Sequence, residues 1–175
     1  MQDAFLHTAM ERYGPAVYRL ALCRLQNRAD AEDVCQEVFL RLLRRGDPAW
    51  EAEHLKAWLL RTALQRCADV KRRWLRHPVL PLEEIAGQAS EEDAEAGALW
   101  EAVAALPAPM RMTVHLYYAE GYRTEEIAAM MGCPAATVRT RLRRAREKLK
   151  GLLEGDAYGE SLWEADGTCP DAGGT

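Results

Sequence analysis

The sequence is poor in the residues that would commit it to most kinds of chemistry. Its four histidines are scattered, and so are its five cysteines, Cys23, Cys35, Cys67, Cys133 and Cys169. With no CxxC pair and no histidine at zinc-ligand spacing, neither a metal site nor a catalytic triad can be built from spacing. No apolar run approaches the ~20 residues that a membrane helix needs. An odd cysteine count without a signal peptide predicts reduced thiols in a soluble, cytoplasmic chain. No alternating strand pattern and no internal repeat can be read anywhere along it.

What is present is charge, and it is segregated. The formal net charge of the 175 residues is only -4. Yet residues 56–76 carry seven Lys/Arg against the single acid Asp69, and residues 139–150 carry seven against Glu147 alone. Residues 83–101 hold seven acids and no base, and the chain from 154 onward holds six acids and no base. Two basic blocks separated and followed by acidic ones fit two surfaces that meet polyanion, although charge runs are also ordinary solvated faces.

The apolar residues recur at helical spacing. Phe5, Ala9, Tyr13, Val17 and Leu20 form one stripe, and Ala31, Val34, Cys35, Val38 and Leu42 form a second after a break near Asn27. Leu55, Trp58, Leu59, Thr62, Ala63 and Val70 form a third, after a loop predicted over residues 46–53 and ending near His77-Pro78. Residues 78–94 read as a linker, acidic and broken by proline. Leu99, Val103 and Leu106 open a second helical unit, interrupted at Pro107-Ala108-Pro109 and again at Gly121, and the chain from 155 reads as an acidic, disordered tail. The expected fold is all-α, with two small helical domains joined by a flexible linker.

The strongest local signal runs from Gly121 to Leu142. Thr124 can cap a short helix with Glu125 and Glu126 in its first turn, Gly132 can end it in the left-handed conformation, and Pro134 fits the first turn of the next helix. Helix, tight turn, helix is a DNA-reading unit. On the second helix Val138, Leu142, Ala145 and Leu149 share a buried face. Ala136, Thr140, Arg143 and Arg144 lie opposite, flanked by Thr137, Arg139 and Arg141. Small residues near the N-terminus allow close approach to base edges, and guanidinium forks read guanine or clamp phosphate. A solvated basic helix is the plainer reading, but acids that would pair such a surface are missing except for Glu147.

The stretch from Leu106 through Ile127-Ala128, continuing from Thr137 to Leu149, resembles sigma region 4 of bacterial RNA polymerase sigma factors. Cys133-Pro134 replaces the hydrophobic-Ser pair common at that turn. Asp30-Ala-Glu-Asp-Val-Cys-Gln-Glu-Val-Phe-Leu-Arg is similar to region 2.2, and His54 through Arg73 is similar to the region 2.3–2.4 helix. The resemblance covers residues 8–153, and the roughly fifteen residues between the units match the extracytoplasmic-function (ECF) arrangement, which lacks the extra domain of larger members.

The resemblance implies a role for each segment: region 2 over 1–77, linker over 78–94, region 4 over 95–154 and tail over 155–175. Asp30, Asp33, Gln36, Glu37, Leu40 and Arg41 are expected to dock on core RNA polymerase. Trp50, Lys56, Arg61, Gln65, Arg66, Lys71, Arg72 and Arg73 are expected to hold the melted minus ten strand, with Trp50 and Gln65 as candidates for the pocket of an unstacked base. Gln65 stands where the family usually has Asn, and Asp69 matches a family acid expected to be structural. Ala136, Thr137, Arg139, Thr140, Arg141, Arg143 and Arg144 are expected to read the minus thirty-five duplex. Linker acids Glu83, Glu84, Glu91, Glu92 and Asp93 suit a channel that normally holds RNA. The partners implied are core polymerase, promoter DNA and an anti-sigma factor, with no cofactor, no metal and no catalytic residue. A stand-alone helix-turn-helix regulator and a sigma mimic that binds an anti-sigma factor are the alternatives.

Overall fold

A computed structural model describes residues 2–45, 49–76 and 94–154. Most of the expected linker and the whole tail, with Trp163 and Cys169, lie outside the described residues, as do the linker acids. The chain divides into two compact units, within residues 1–86 and 87–175. Both are all-helical among the described residues.

In the first unit α1 (Gln2–Leu25), α2 (Arg28–Arg45) and α3 (Ala52–Arg76) pack pairwise. The stripes read from the sequence meet at the centre, where Val17, Leu20, Val34, Val38, Leu42, Leu59 and Leu60 are fully buried. Helix α1 runs through Gly14-Pro15 although Pro15 offers no amide proton. Its end is abrupt: Gln26 takes a left-handed φ of 53°. Helix α2 is capped by Asn27, whose Oδ1 accepts the Asp30 amide at 3.0 Å. The cap is thus Asn27, and Asp30 sits in the first turn, where its charge suits the helix dipole. Of the expected 46–53 loop, residues 46–48 lie outside the described part, Ala49–Glu51 form a turn, and Ala52 and Glu53 are already helical. The Tyr13 hydroxyl donates to the Ala52 carbonyl at 3.3 Å and so ties α1 to the start of α3.

In the second unit α4 (Ala94–Ala104), which takes in the last residue of the expected linker, and α5 (Ala108–Val114) precede a π-helical turn (His115–Ala119). Helices α6 (Thr124–Met131) and α7 (Ala135–Glu154) complete it. Leu106, Met112, Leu116, Ile127, Val138 and Leu142 form its centre. The break at Pro107 leaves the last carbonyls of α4 without helical donors, and a buried arginine meets that need. Arg111 donates from Nη1 to the carbonyls of Ala104 at 3.0 Å and Leu106 at 2.7 Å. The π turn wraps one extra residue per turn, Glu120 N–H reaching the His115 carbonyl at 3.2 Å. It brings His115 Nε2 to 3.5 Å from Glu120 Oε1 in the interior.

Arg111→Met keeps most of the apolar stem but leaves one buried and one part-buried carbonyl without their donor. The second unit should lose about 2–4 kcal/mol, seen as faster amide exchange across residues 99–114. Unchanged exchange there contradicts the assignment.

Candidate nucleic-acid interfaces

On α2, Asp33, Gln36, Glu37 and Leu40 fall within an arc of about 100° at helical spacing, and all four are exposed. Asp30 and Arg41 stand at its border, half-buried. Asp33, Gln36 and Leu40 face solvent, whereas Glu37 lies in a network. Its Oε1 is 3.7 Å from Arg41 Nε on the same helix and 3.1 Å from Arg66 Nη1 on α3. Arg66 Nη2 also contacts Asp69 Oδ2, and Asp69 Oδ1 contacts Arg72 Nη2. Asp69, read from sequence as structural, is thus the hub that pairs two of the expected DNA-binding arginines.

The basic residues of α3 do not form one track. Arg61, Gln65 and Arg72 line up on the face away from the core. Arg66 turns toward α2 and is the least exposed member of the network, at 22% of its side chain. Lys56 and Lys71 are half-buried on the other flank, and Arg73 is exposed in the last turns. Trp50 meets His54 at a ring-centroid distance of 5.1 Å and Trp58 at 5.4 Å, so Trp58 is a half-buried bridge between the core and this aromatic cluster. Trp50 borders a shallow groove with Phe5, Thr8, Arg12, Tyr13 and Leu55, and Arg12 sits 5.3 Å over the Tyr13 ring. The Trp50 ring packs on Trp58, and Gln65 lies seven residues farther along α3, roughly 10 Å at 1.5 Å per residue.

The helix-turn-helix forms as its glycine requires. Gly132 takes φ 65° and ψ 36°, and its amide and that of Cys133 (3.1 Å) both reach the Ala128 carbonyl. Pro134 precedes the first helical residue, its carbonyl accepting from Thr137 at 3.0 Å and Val138 at 3.2 Å, so it stands at the cap of α7 and not inside the first turn. Thr124 is likewise the first residue of α6 and not its cap. Arg123 occupies the cap with extended backbone (φ -76°, ψ 160°). Its amide donates to Glu126 Oε2 at 2.8 Å, but a guanidinium cannot accept a hydrogen bond in return, so half of a capping box is made. Thr124 donates instead to Glu125 Oε1 at 3.0 Å. Amide hydrogen bonding at the helix start, and then this hydroxyl, hold the Glu125 carboxyl below its usual range.

On α7 the face opposite the core carries Ala136, Thr140, Arg143 and Glu147 in one line, with Arg139 and Arg144 beside it. Val138, Leu142 and Ala145 are buried as expected, and Leu149 is half-buried. Glu147 holds Arg143 at 2.9 Å, and Arg139 finds an acid the sequence pattern missed, Glu125 on α6 at 3.7 Å. Both pairs are largely exposed and therefore weak. Arg141 is half-buried and reaches back to Cys133 Sγ at 3.6 Å, bracing the turn. Thr137 is half-buried at the side of the first turn.

Among the described residues no group of His, Cys, Asp and Glu could hold a metal ion, and no helix is long and apolar enough to cross a membrane. Cys23, Cys35, Cys67 and Cys133 form no disulfide. Burial pushes the Cys67 thiol up to about 12 and raises Cys35 as well.

Comparison with known proteins places two families on these two units: Sigma-70 region 2 over residues 9–76, and Sigma-70, region 4 over residues 96–149. The ECF RNA polymerase sigma factor SigM of Mycobacterium tuberculosis is 30% identical over 144 residues, with 81% of this chain and 74% of that one covered. The ECF RNA polymerase sigma-E factor of Escherichia coli is 31% identical over 149 residues, covering 71% and 74%. Among solved structures, the sigma factor RpoE of Bartonella quintana, determined with the anti-sigma factor NepR, superposes with a TM-score of 0.72. At 24% identity, covering 89% of this chain and 99% of that one, it speaks to the fold alone. CnrH, solved with the cytosolic domain of CnrY, gives 0.60 at 25% identity, covering 90% and 92%.

Arg123→Ser supplies the acceptor that the α6 cap lacks. It should stabilise the second unit by about 0.5–1 kcal/mol, read as slower amide exchange at residues 125 and 126. No change would mean that the cap is satisfied in another way.

Proposed function

Because this chain belongs to the sigma-70 family, as an ECF RNA polymerase sigma factor, we propose which of its surfaces meets which partner. Directing promoter-specific transcription initiation is the family's work. The observation that carries the reading is that region 2 and region 4 fall on two separate helical units, the first with exposed charged faces on α2 and α3 and the second with one on α7. Region 2 occupies residues 1–77, the linker 78–94, region 4 95–154, and the acidic tail 155–175.

Asp33, Gln36, Glu37 and Leu40, bordered by Asp30 and Arg41, dock on core polymerase. A stripe of mixed acid, amide and apolar residues suits a helical partner with basic side chains. Arg61, Gln65 and Arg72 face the melted minus ten strand, with Lys56, Arg66, Lys71 and Arg73 supplying further charge. The unstacked base belongs beside Trp50, where the groove against Tyr13 and Arg12 offers an aromatic wall and a cation. On α7, Ala136 and Thr140 allow close approach in the major groove, and Arg143, with Arg139 and Arg144 at its sides, contacts bases or phosphates. Thr137 lies at the edge of that surface, and Arg141 acts through the turn. The chain works in the cytoplasm and contributes no catalytic group, since bond formation belongs to the polymerase. An anti-sigma factor is the third partner.

Run-off transcription from a genomic promoter library with core polymerase, with and without this protein, tests the whole reading. Transcripts that start at defined sites only when the protein is added are expected. A protein that binds core polymerase and yields no such transcript overturns it.

Asp33→Ala with Leu40→Ala should weaken binding to core polymerase at least several-fold, while stability changes by no more than about 0.5 kcal/mol. Gel filtration with core polymerase and thermal melting read the two quantities, and unchanged co-elution contradicts the docking assignment. Arg143→Ala and Arg144→Ala should each weaken minus thirty-five binding by roughly 1–3 kcal/mol where a base is contacted, and less where only phosphate is. A base contact relaxes specificity at one position, and a phosphate contact flattens the salt slope. Neither substitution altering transcription from a promoter that depends on this element would remove α7 from the interface.

A further inference from the structure

The ion-pair network of the first unit is shared between residues assigned to two different ligands. It runs Arg41, Glu37, Arg66, Asp69, Arg72, alternating in sign, from the polymerase-facing stripe of α2 to the DNA-facing side of α3. Three guanidiniums divide two carboxylates among themselves. Each Glu37 contact uses the same oxygen, Oε1, and each Asp69 contact uses a separate oxygen. Arg66 is held at both ends of its fork, by Glu37 from α2 and by Asp69 from its own helix, while its buried Nε has no hydrogen-bond partner. In that position the guanidinium is already neutralised and turned toward α2. To take a backbone phosphate it must leave at least one carboxylate.

We propose that Glu37 is a positioning residue that couples the two ligands: it holds Arg66 away from single-stranded DNA in the free protein and releases it when a cation of the polymerase competes for its carboxylate. This rests on the assignment of α2 to polymerase and α3 to the melted strand. A ligand that takes Glu37 lowers the cost of moving Arg66, and by linkage a phosphate that takes Arg66 frees Glu37 for the polymerase. The Glu37 side chain is 49% exposed and Arg66 22%, so the pair is screened and its effect is modest, about two- to fivefold in affinity. A modest effect is enough to bias which state binds DNA. Arg41, on the same oxygen, stays on α2 and can follow Glu37 into the interface, whereas Arg66 belongs to the other helix and must part from it.

The test uses the full chain without polymerase and a fluorescein-labelled, random-sequence single-stranded DNA of 20 nucleotides, followed by anisotropy across a salt series. Glu37→Gln should tighten binding about two- to fivefold and steepen the log–log salt slope by about 0.7, one more phosphate contact. Glu32→Gln removes the same charge from an exposed position of α2 outside the network, and should give a clearly smaller gain. In an Arg66→Ala background the gain from Glu37→Gln should vanish. Equal gains from Glu32→Gln and Glu37→Gln, or a gain that survives Arg66→Ala, would reduce the effect to net charge and overturn the coupling while leaving the minus ten assignment standing. Binding of no variant at any salt would overturn that assignment and the coupling with it.

Discussion

Each helical unit is held in shape by a residue in the left-handed region at the point where one helix must stop and the next must start. Gly132 does this between α6 and α7, and a Cβ there would meet no atom within 4 Å, so the requirement is conformational and not steric. Without the reversal at Gly132, α7 would continue the axis of α6 and its arginines would not form a separate face. Gln26 does the same between α1 and α2 at φ 53°. A non-glycine residue held there costs about 1 kcal/mol, offset by the Asn27 cap one residue later and by the packing of α1 on α2. Of the two corners only Gln26 carries strain, since glycine adopts this conformation freely, and both lie beside a face assigned to a partner.

The second constraint is electrostatic. Basic residues concentrated on two helices would repel one another and bind polyanions without discrimination. Four acids each meet a guanidinium: Asp69 and Glu37 hold the partly buried arginines of the first unit, and Glu125 and Glu147 hold exposed ones in the second. Exposed pairs contribute little to stability, so their main consequence is to set what the arginines exchange when they meet phosphate. Arg111 is the contrasting case. It is buried, donates to backbone carbonyls, and belongs to the fold alone.

Helical periodicity made the fold legible, because burial on one side of a helix writes itself into the spacing of apolar residues. All three stripes of the first unit and the buried face of α7 were readable that way. Capping was read one residue off at Thr124 and Pro134, since several neighbouring side chains could serve and only backbone geometry selects among them. The π turn at His115–Ala119 had no signature, because one extra residue in a turn shifts phase no more than an ordinary helix end does. Spacing along α3 also concealed that Arg66 faces α2. A seven-residue difference in position, from Arg66 to Arg73, decides whether a guanidinium meets a carboxylate or solvent, and composition cannot distinguish the two. Trp50 and Gln65 were both reasonable for a base pocket by residue type, but spacing could not show that Trp50 packs on His54 and Trp58 at the start of α3.

The division of charge has a consequence for how the two units act together. A few phosphate contacts per unit give weak, strongly salt-dependent binding, and every guanidinium that must first leave a carboxylate weakens it further. On the proposed assignment, neither unit alone is expected to reach the affinity at which a promoter is held at physiological salt. Once both are fixed on one polymerase, the second DNA contact becomes intramolecular and the affinities multiply without any new side-chain interaction. Weakness of each face is then what makes recognition conditional on the polymerase, and the acids beside the arginines are what keep each face weak.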